Sequence, residues 1–216
     1  MKTIFTLLSI VLFSLTHAQK VGLYTSIYKA HGDYNKNIDR NPVGITLNYL
    51  HPISNKLDIG AELGVAMYSN KTYNVPYQGK ELEIFEEDCF WTFHLLGQYK
   101  VIEMKKSYVY FEGRFGWTTF FSSKDATSDQ EEDLDEYESS YQAHGTAFNS
   151  GLALGFNHRI LGSDEKGLLF DFTLGINSGS KSDYRNANEN TTDLNQGNFR
   201  SLTHYTSYRI GLQYQF

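Results

Sequence analysis

The strongest constraint on this chain is a period of two. In "NPVGITLNYLHP", Val43, Ile45, Leu47 and Tyr49 alternate with Gly44, Thr46 and Asn48. In "LDIGAELGVAMY", Leu57, Ile59, Ala61, Leu63, Val65 and Met67 alternate with Asp58, Gly60, Glu62, Gly64 and Ala66. The same pattern returns in "CFWTFHLLGQYKV", "SYVYFEGRFGWTTFF", "NSGLALGFNHRI", "LLFDFTLGIN" and the closing "YRIGLQYQF". Alternation of this kind belongs to strands with two unlike faces, since successive side chains of a strand point to opposite sides. "VGLYTSIYKA" is less regular and reads as a strand from its position and its β-branched and aromatic content. The expectation is eight strands.

The connections order them. "PISNK", "EMKKS" and "LGSDEKG" are tight, whereas 31–41, 69–88, 122–145 and 178–203 are long and polar. Strict alternation of short and long links places all the long ones at one end of an up-and-down array. An even strand number then brings both termini to the short-turn end. Strands of about ten residues suit a tilted crossing of a bilayer's hydrocarbon layer.

A soluble barrel with an apolar interior also alternates, so the faces must be compared. The polar face is rich in glycine: Gly44, Gly60, Gly64, Gly116, Gly151, Gly155, Gly175 and Gly211. On a water-facing surface so much glycine weakens strands without return. Inside a narrow barrel it makes room for a few large polar side chains. Aromatic residues also gather near strand ends, with Tyr49, Tyr99, Tyr108, Tyr214 and Phe216 at the short-turn end and Tyr68, Trp91, Trp117 and Phe120 at the other. Paired interfacial girdles account for that distribution. The fold expected is therefore all-β: an eight-stranded antiparallel up-and-down transmembrane β-barrel over 19–216.

The N-terminus agrees with export. Lys2 is followed by an apolar run from Ile4 to Leu15, and Thr16-His17-Ala18 offers small residues where a signal peptidase reads. Residues 1–18 are expected to be a signal peptide, too short in its apolar part to span a bilayer as a helix. Cys89 is the sole cysteine, so disulfides do not hold the chain. Loss of Lys2 takes the formal net charge from −6 to −7. Segment 122–143 alone carries eight acidic residues against Lys124, so the remainder is close to neutral. Nucleic acid is not an expected partner.

Charged residues on the inward face are Glu62, His94, Lys100, Glu112, Arg114, Asp171 and Arg209. Mixed signs in a narrow lumen point to a hydrogen-bonded ion-pair plug, because a buried unpaired charge is costly. The alternative is a gated ion path through the same residues. "DATSDQEEDLDEYE" clusters carboxylates suited to a hard cation but lacks the glycine and ligand spacing of an EF-hand loop, and a solvated external loop is the simpler expectation. No cofactor, metal site or catalytic residue is expected.

The chain resembles the eight-stranded outer-membrane β-barrel proteins of Gram-negative bacteria, the OmpA/OmpX-like, porin-family barrel group. The resemblance spans the whole mature chain and is most specific at Arg209, Gly211, Tyr214 and Phe216. It implies that this terminal strand is the signal read by the barrel-assembly machinery; no periplasmic peptidoglycan-binding domain follows Phe216, so a barrel alone is expected. It implies a monomer in the outer membrane, among its lipids and lipopolysaccharide, with a structural, adhesive or interaction role through long external loops. A narrow channel for ions or small solutes is the alternative. A lipid-modifying enzyme ranks third: His204 lies near Thr206 and Ser207, and His144 stands alone, but neither forms a hydrolase motif.

Overall fold

The computed structural model describes residues 19–38, 40–77, 80–127, 140–163, 166–186 and 198–216. The expected signal peptide and the acidic stretch 128–139 lie outside the described residues. Eight strands close into one antiparallel barrel: β1 (Lys20–Ala30), β2 (Val43–Pro52), β3 (Leu57–Tyr77), β4 (Lys80–Glu103), β5 (Ser107–Thr127), β6 (Ser140–Gly162), β7 (Gly167–Gly179) and β10 (Tyr205–Gln215). Each pairs with its sequence neighbour in the ring, and β10 closes on β1 from Lys20 opposite Gln215 to Ala30 opposite Tyr205. Between β7 and β10 a separate hairpin pairs β8 (Lys181–Arg185) with β9 (Asn198–Leu202). A short helix, α1 (Gly32–Asn37), follows β1.

The pleat sorts side chains in the sense opposite to a soluble core. Leu152, Ile176 and Leu23 are 67%, 66% and 60% exposed on the outer wall, whereas Arg209 and Glu112 are 1% and 0% exposed inside. An apolar outer face around a polar interior is the arrangement of a barrel whose solvent is lipid. The inward glycines make that interior possible at specific places. A Cβ on Gly155 would collide with the Tyr110 ring, and one on Gly211 with Tyr24 and the Leu23 carbonyl. Two large tyrosines thus lie against the neighbouring strand at its bare glycines.

Two expectations change. Link 69–88 is largely paired strand, as are the described parts of 122–145, so β3 to β6 run 21 to 24 residues rather than about ten. At ~3.3 Å per residue, 21 residues measure roughly 70 Å, well beyond a tilted crossing of a ~30 Å layer. The hairpins therefore rise past the apolar band, which gives way on the outer face to Asn70, Glu87 and Ser123. The second change concerns the girdles. Tyr68 and Phe120 share the pleat parity of Ala66 and Thr118, so they point inward and are fully buried. Tyr108 turns toward the short-turn mouth, where its hydroxyl receives a hydrogen bond from Lys20. Trp91, Trp117, Tyr99, Tyr214 and Phe216 do face outward.

Candidate functional site: the filled lumen and its mouth

The lumen is occupied in layers. At the short-turn end Lys20 Nζ donates to Asp58 at 2.7 Å and to the Tyr108 hydroxyl at 3.0 Å. Above it, the buried Asp171 carboxylate accepts from Tyr110 at 2.9 Å, Thr173 at 3.0 Å and Asn157 at 3.0 Å. Asn48 and Gln213 both donate to the Tyr24 hydroxyl, at 3.2 and 3.3 Å.

The ionic centre comes next. Arg209 bridges two carboxylates, pairing with Glu62 and donating to Glu112 at 2.7 Å. Arg114 also pairs with Glu112 and reaches Ser207 at 2.9 Å. His94 Nδ1 lies 3.2 Å from Glu62, and Gln98 donates to Glu112 at 2.7 Å. Arg209 further stacks 5.3 Å from the Tyr24 ring centroid. Strands β3, β4, β5 and β10 thereby meet across the lumen through fully desolvated charges. Such pairs hold their geometry because separating either partner leaves a bare buried charge.

Of the inward charges picked out from the sequence, Glu62, His94, Glu112, Arg114 and Arg209 come together here. Asp171 belongs to a neighbouring net, joined through Thr173, which lies 3.4 Å from Arg209. Lys100 stands apart: its Nζ donates to the Asn55 carbonyl at 2.9 Å, by the short turn between β2 and β3, and sits 5.3 Å from the Tyr108 ring centroid. Tyr24, Asn48, Tyr110, Asn157 and Gln213 were not singled out. Their only signal was inward parity on strands whose other face is apolar.

An aromatic layer closes the lumen above the ions. Tyr28 packs edge-on against Phe90 at 5.2 Å and Tyr205 at 5.3 Å. Tyr34, carried by α1, inserts between Phe120 at 5.9 Å and Tyr184 of β8 at 5.1 Å. The connections expected to be external loops therefore send α1 and β8 back over the mouth.

A second ionic cluster caps this layer, beyond the apolar band. Glu86 accepts from Arg185 Nε at 2.9 Å and Tyr73 at 2.7 Å, with Lys124 at 3.2 Å. Burial pushes the Glu86 pKa up, but these partners outweigh it and hold the carboxyl below its usual range. Beside it, Ser122 donates to Asp88, and His144 Nε2 lies 2.8 Å from the same hydroxyl. Burial raises the Asp88 pKa to about 6. Burial, then Arg185, lowers that of His144 to about 4.

The Ser122 arrangement bears on catalysis. A serine is activated when an imidazole takes its proton and an acid orients that imidazole. Here the serine is the middle member, and its proton goes to Asp88. His204 Nδ1 lies 3.2 Å from Ser178 Oγ and accepts from the Gly179 amide at 3.3 Å. Among the described residues no carboxylate is hydrogen-bonded to His204, and no cluster of His, Cys, Asp and Glu could hold a metal ion.

No family model and no curated protein sequence matches the chain. Among solved structures it is similar to Ail, the attachment invasion locus protein of Yersinia pestis, in complex with the heparin analogue sucrose octasulfate. The TM-score is 0.50 at 14% identity, covering 92% of this chain and 97% of that one. Neisserial surface protein A gives a TM-score of 0.49 at 10% identity, over 92% and 97% of the two chains. At these identities the likeness is one of architecture, and in architecture this chain is an eight-stranded antiparallel β-barrel of the outer-membrane kind.

Proposed function

We propose that the protein is exported to the outer membrane and serves there as a closed barrel with a structural, adhesive or interaction role, presented by the tall hairpins β3–β4 and β5–β6. The observation that carries this reading is the filled lumen. The Arg209–Glu62–Glu112–Arg114 centre, the aromatic layer and α1 stand in series along the only axis a solute would follow. A permeation path needs polar groups that ions can enter and leave. Here the charges already neutralise one another, and an apolar layer lies above them. The hairpins, in contrast, are long and paired well beyond the apolar band, and so offer a surface. Ail, a barrel of the same architecture, is named for attachment, which makes an adhesive task compatible with this fold. We infer a non-enzymatic role, a reading supported by the Ser122 hydroxyl donating to Asp88 rather than to an imidazole.

Planar-bilayer recording tests the choice against a channel. The wild-type protein should give no discrete openings. Steady ohmic conductance that Arg114→Glu alters would favour the channel instead. Replacing 70–86 and 124–141 by short turns should leave a folded barrel and abolish adhesion of expressing cells to immobilised glycans or proteins.

A further inference from the structure

The whole-chain balance conceals a local one at the short-turn rim. Lys56 lies in the β2–β3 turn, Lys105 and Lys106 in the β4–β5 turn and Lys166 in the β6–β7 turn, all exposed. Backbone hydrogen bonds place these turns side by side: Lys100 N donates to Lys56 O at 2.8 Å, and Arg159 N to Lys106 O at 2.7 Å. Glu103 is the exposed acid on this arc among the described residues, Asp58 being buried against Lys20; Asp164 and Glu165, in the same link as Lys166, lie outside the described residues.

The apolar residues of this rim are equally specific. Register shifts fall between Lys100 and Ile102 on β4 and between Arg159 and Leu161 on β6. A bulge re-aims the residues beside it. Both members of two consecutive pairs, Val101–Ile102 and Ile160–Leu161, are therefore exposed, Leu161 to 64%. Regular alternation would have turned one of each pair inward. Aliphatic side chains level with the lipid wall and ammonium groups just beyond them match the depth profile of a headgroup layer.

We propose that this rim is a binding surface for anionic glycerophospholipids. The two bulge pairs seat in the acyl boundary, and Lys56, Lys105, Lys106 and Lys166 pair with headgroup phosphates of net-negative lipids. The proposal rests on the membrane reading above.

The test refolds the protein into nanodiscs of phosphatidylcholine mixed with phosphatidylglycerol and counts retained lipids by native mass spectrometry. Folding is checked separately by heat-modifiable gel mobility. The wild type should retain phosphatidylglycerol over phosphatidylcholine by about fivefold or more, the effect of a single lysine at an anionic surface. Lys56→Gln/Lys105→Gln/Lys106→Gln/Lys166→Gln should abolish the preference, and the milder Lys105→Gln/Lys106→Gln should reduce it. Lys29→Gln/Lys181→Gln, at the other end, should leave it intact. Ile102→Ser/Leu161→Ser should lower retention of both lipids. A folded wild type without preference, or a folded quadruple variant that keeps it, overturns the proposal alone. Failure to insert into any bilayer would sink the membrane reading with it. Lysine-dependent binding of soluble polyglutamate without lipid preference would overturn it in favour of an acidic protein partner.

Discussion

Arg209 holds Glu62 and Glu112 together at the centre of the lumen, and all three side chains are essentially without solvent. Arg209→Met leaves two carboxylates facing each other, a change that costs about 3–5 kcal/mol when one partner of a buried pair is removed. The temperature at which the barrel loses its compact gel mobility should fall sharply. Adding Glu62→Gln, which leaves Glu112 paired with Arg114, should restore much of it. Tyr110 lies against the bare backbone of Gly155. Gly155→Ala should therefore lower the unfolding temperature in wild type and far less in a Tyr110→Ala background, because the two changes share one contact. The charged members of the ionic centre were legible in the sequence, since an arginine or glutamate on a strand with an apolar opposite face has nowhere else to go; the buried Lys20–Asp58 pair, at strand ends, was not. Tyr24 and Tyr110 were not, because a tyrosine suits a girdle as well as a lumen. Parity alone separates those two places, and by parity Tyr68, Phe120 and Tyr108 belong to the lumen rather than to a girdle.

The extended hairpins were the least legible elements. Alternation persists through Ile84, Glu86, Asp88 and Phe90, all buried, but Glu87 between them is also polar. Once the outer face leaves the apolar band, the two faces no longer contrast, and the strand is indistinguishable from a polar loop. The hairpin β8–β9 and helix α1 were hidden for a related reason: each is short and depends on tertiary contacts through Tyr184 and Tyr34. The hairpins also carry an opposed pair of titrations. Asp88 has a folded pKa of about 6 against an ordinary 3.8, so it binds its proton more tightly in the fold. Its contribution favours the fold below about 4 and is lost as pH rises through 6. His144 has a folded value of about 4 against an ordinary 6.5. Its contribution is present above about 6.5 and is lost as pH falls toward 4. The two oppose each other across one window. Relative to wild type, Asp88→Asn should become more stable as pH rises from 4 to 6.5. His144→Gln should become less stable over the same interval, with unfolding followed by tyrosine fluorescence.

The molecule as a whole is polarised from end to end, and its polarity follows from connection lengths that were plain in the sequence. Three tight turns, Gln19 and Phe216 share one rim, and the tall hairpins rise at the other. Closure is completed where Phe216 N donates to Gln19 O at 2.9 Å, and the Phe216 ring packs against Tyr214 at 4.8 Å. With Phe216 49% exposed to the outer face, its deletion removes little packing. It should nonetheless reduce assembly in cells while barely lowering the melting temperature of protein refolded in detergent; equal effects on both would remove the signalling role. Eight strands, their order and their inside-out sorting were all implied by alternation and link length. What each face touches above the apolar band was not. The most direct test of an inside-out, lipid-solvated barrel is electrophoretic mobility of the protein recovered from fractionated cells. It should appear in the outer-membrane fraction, resist dodecyl sulfate at room temperature and shift on boiling. Recovery in the soluble periplasmic fraction, with one mobility before and after boiling, would contradict it.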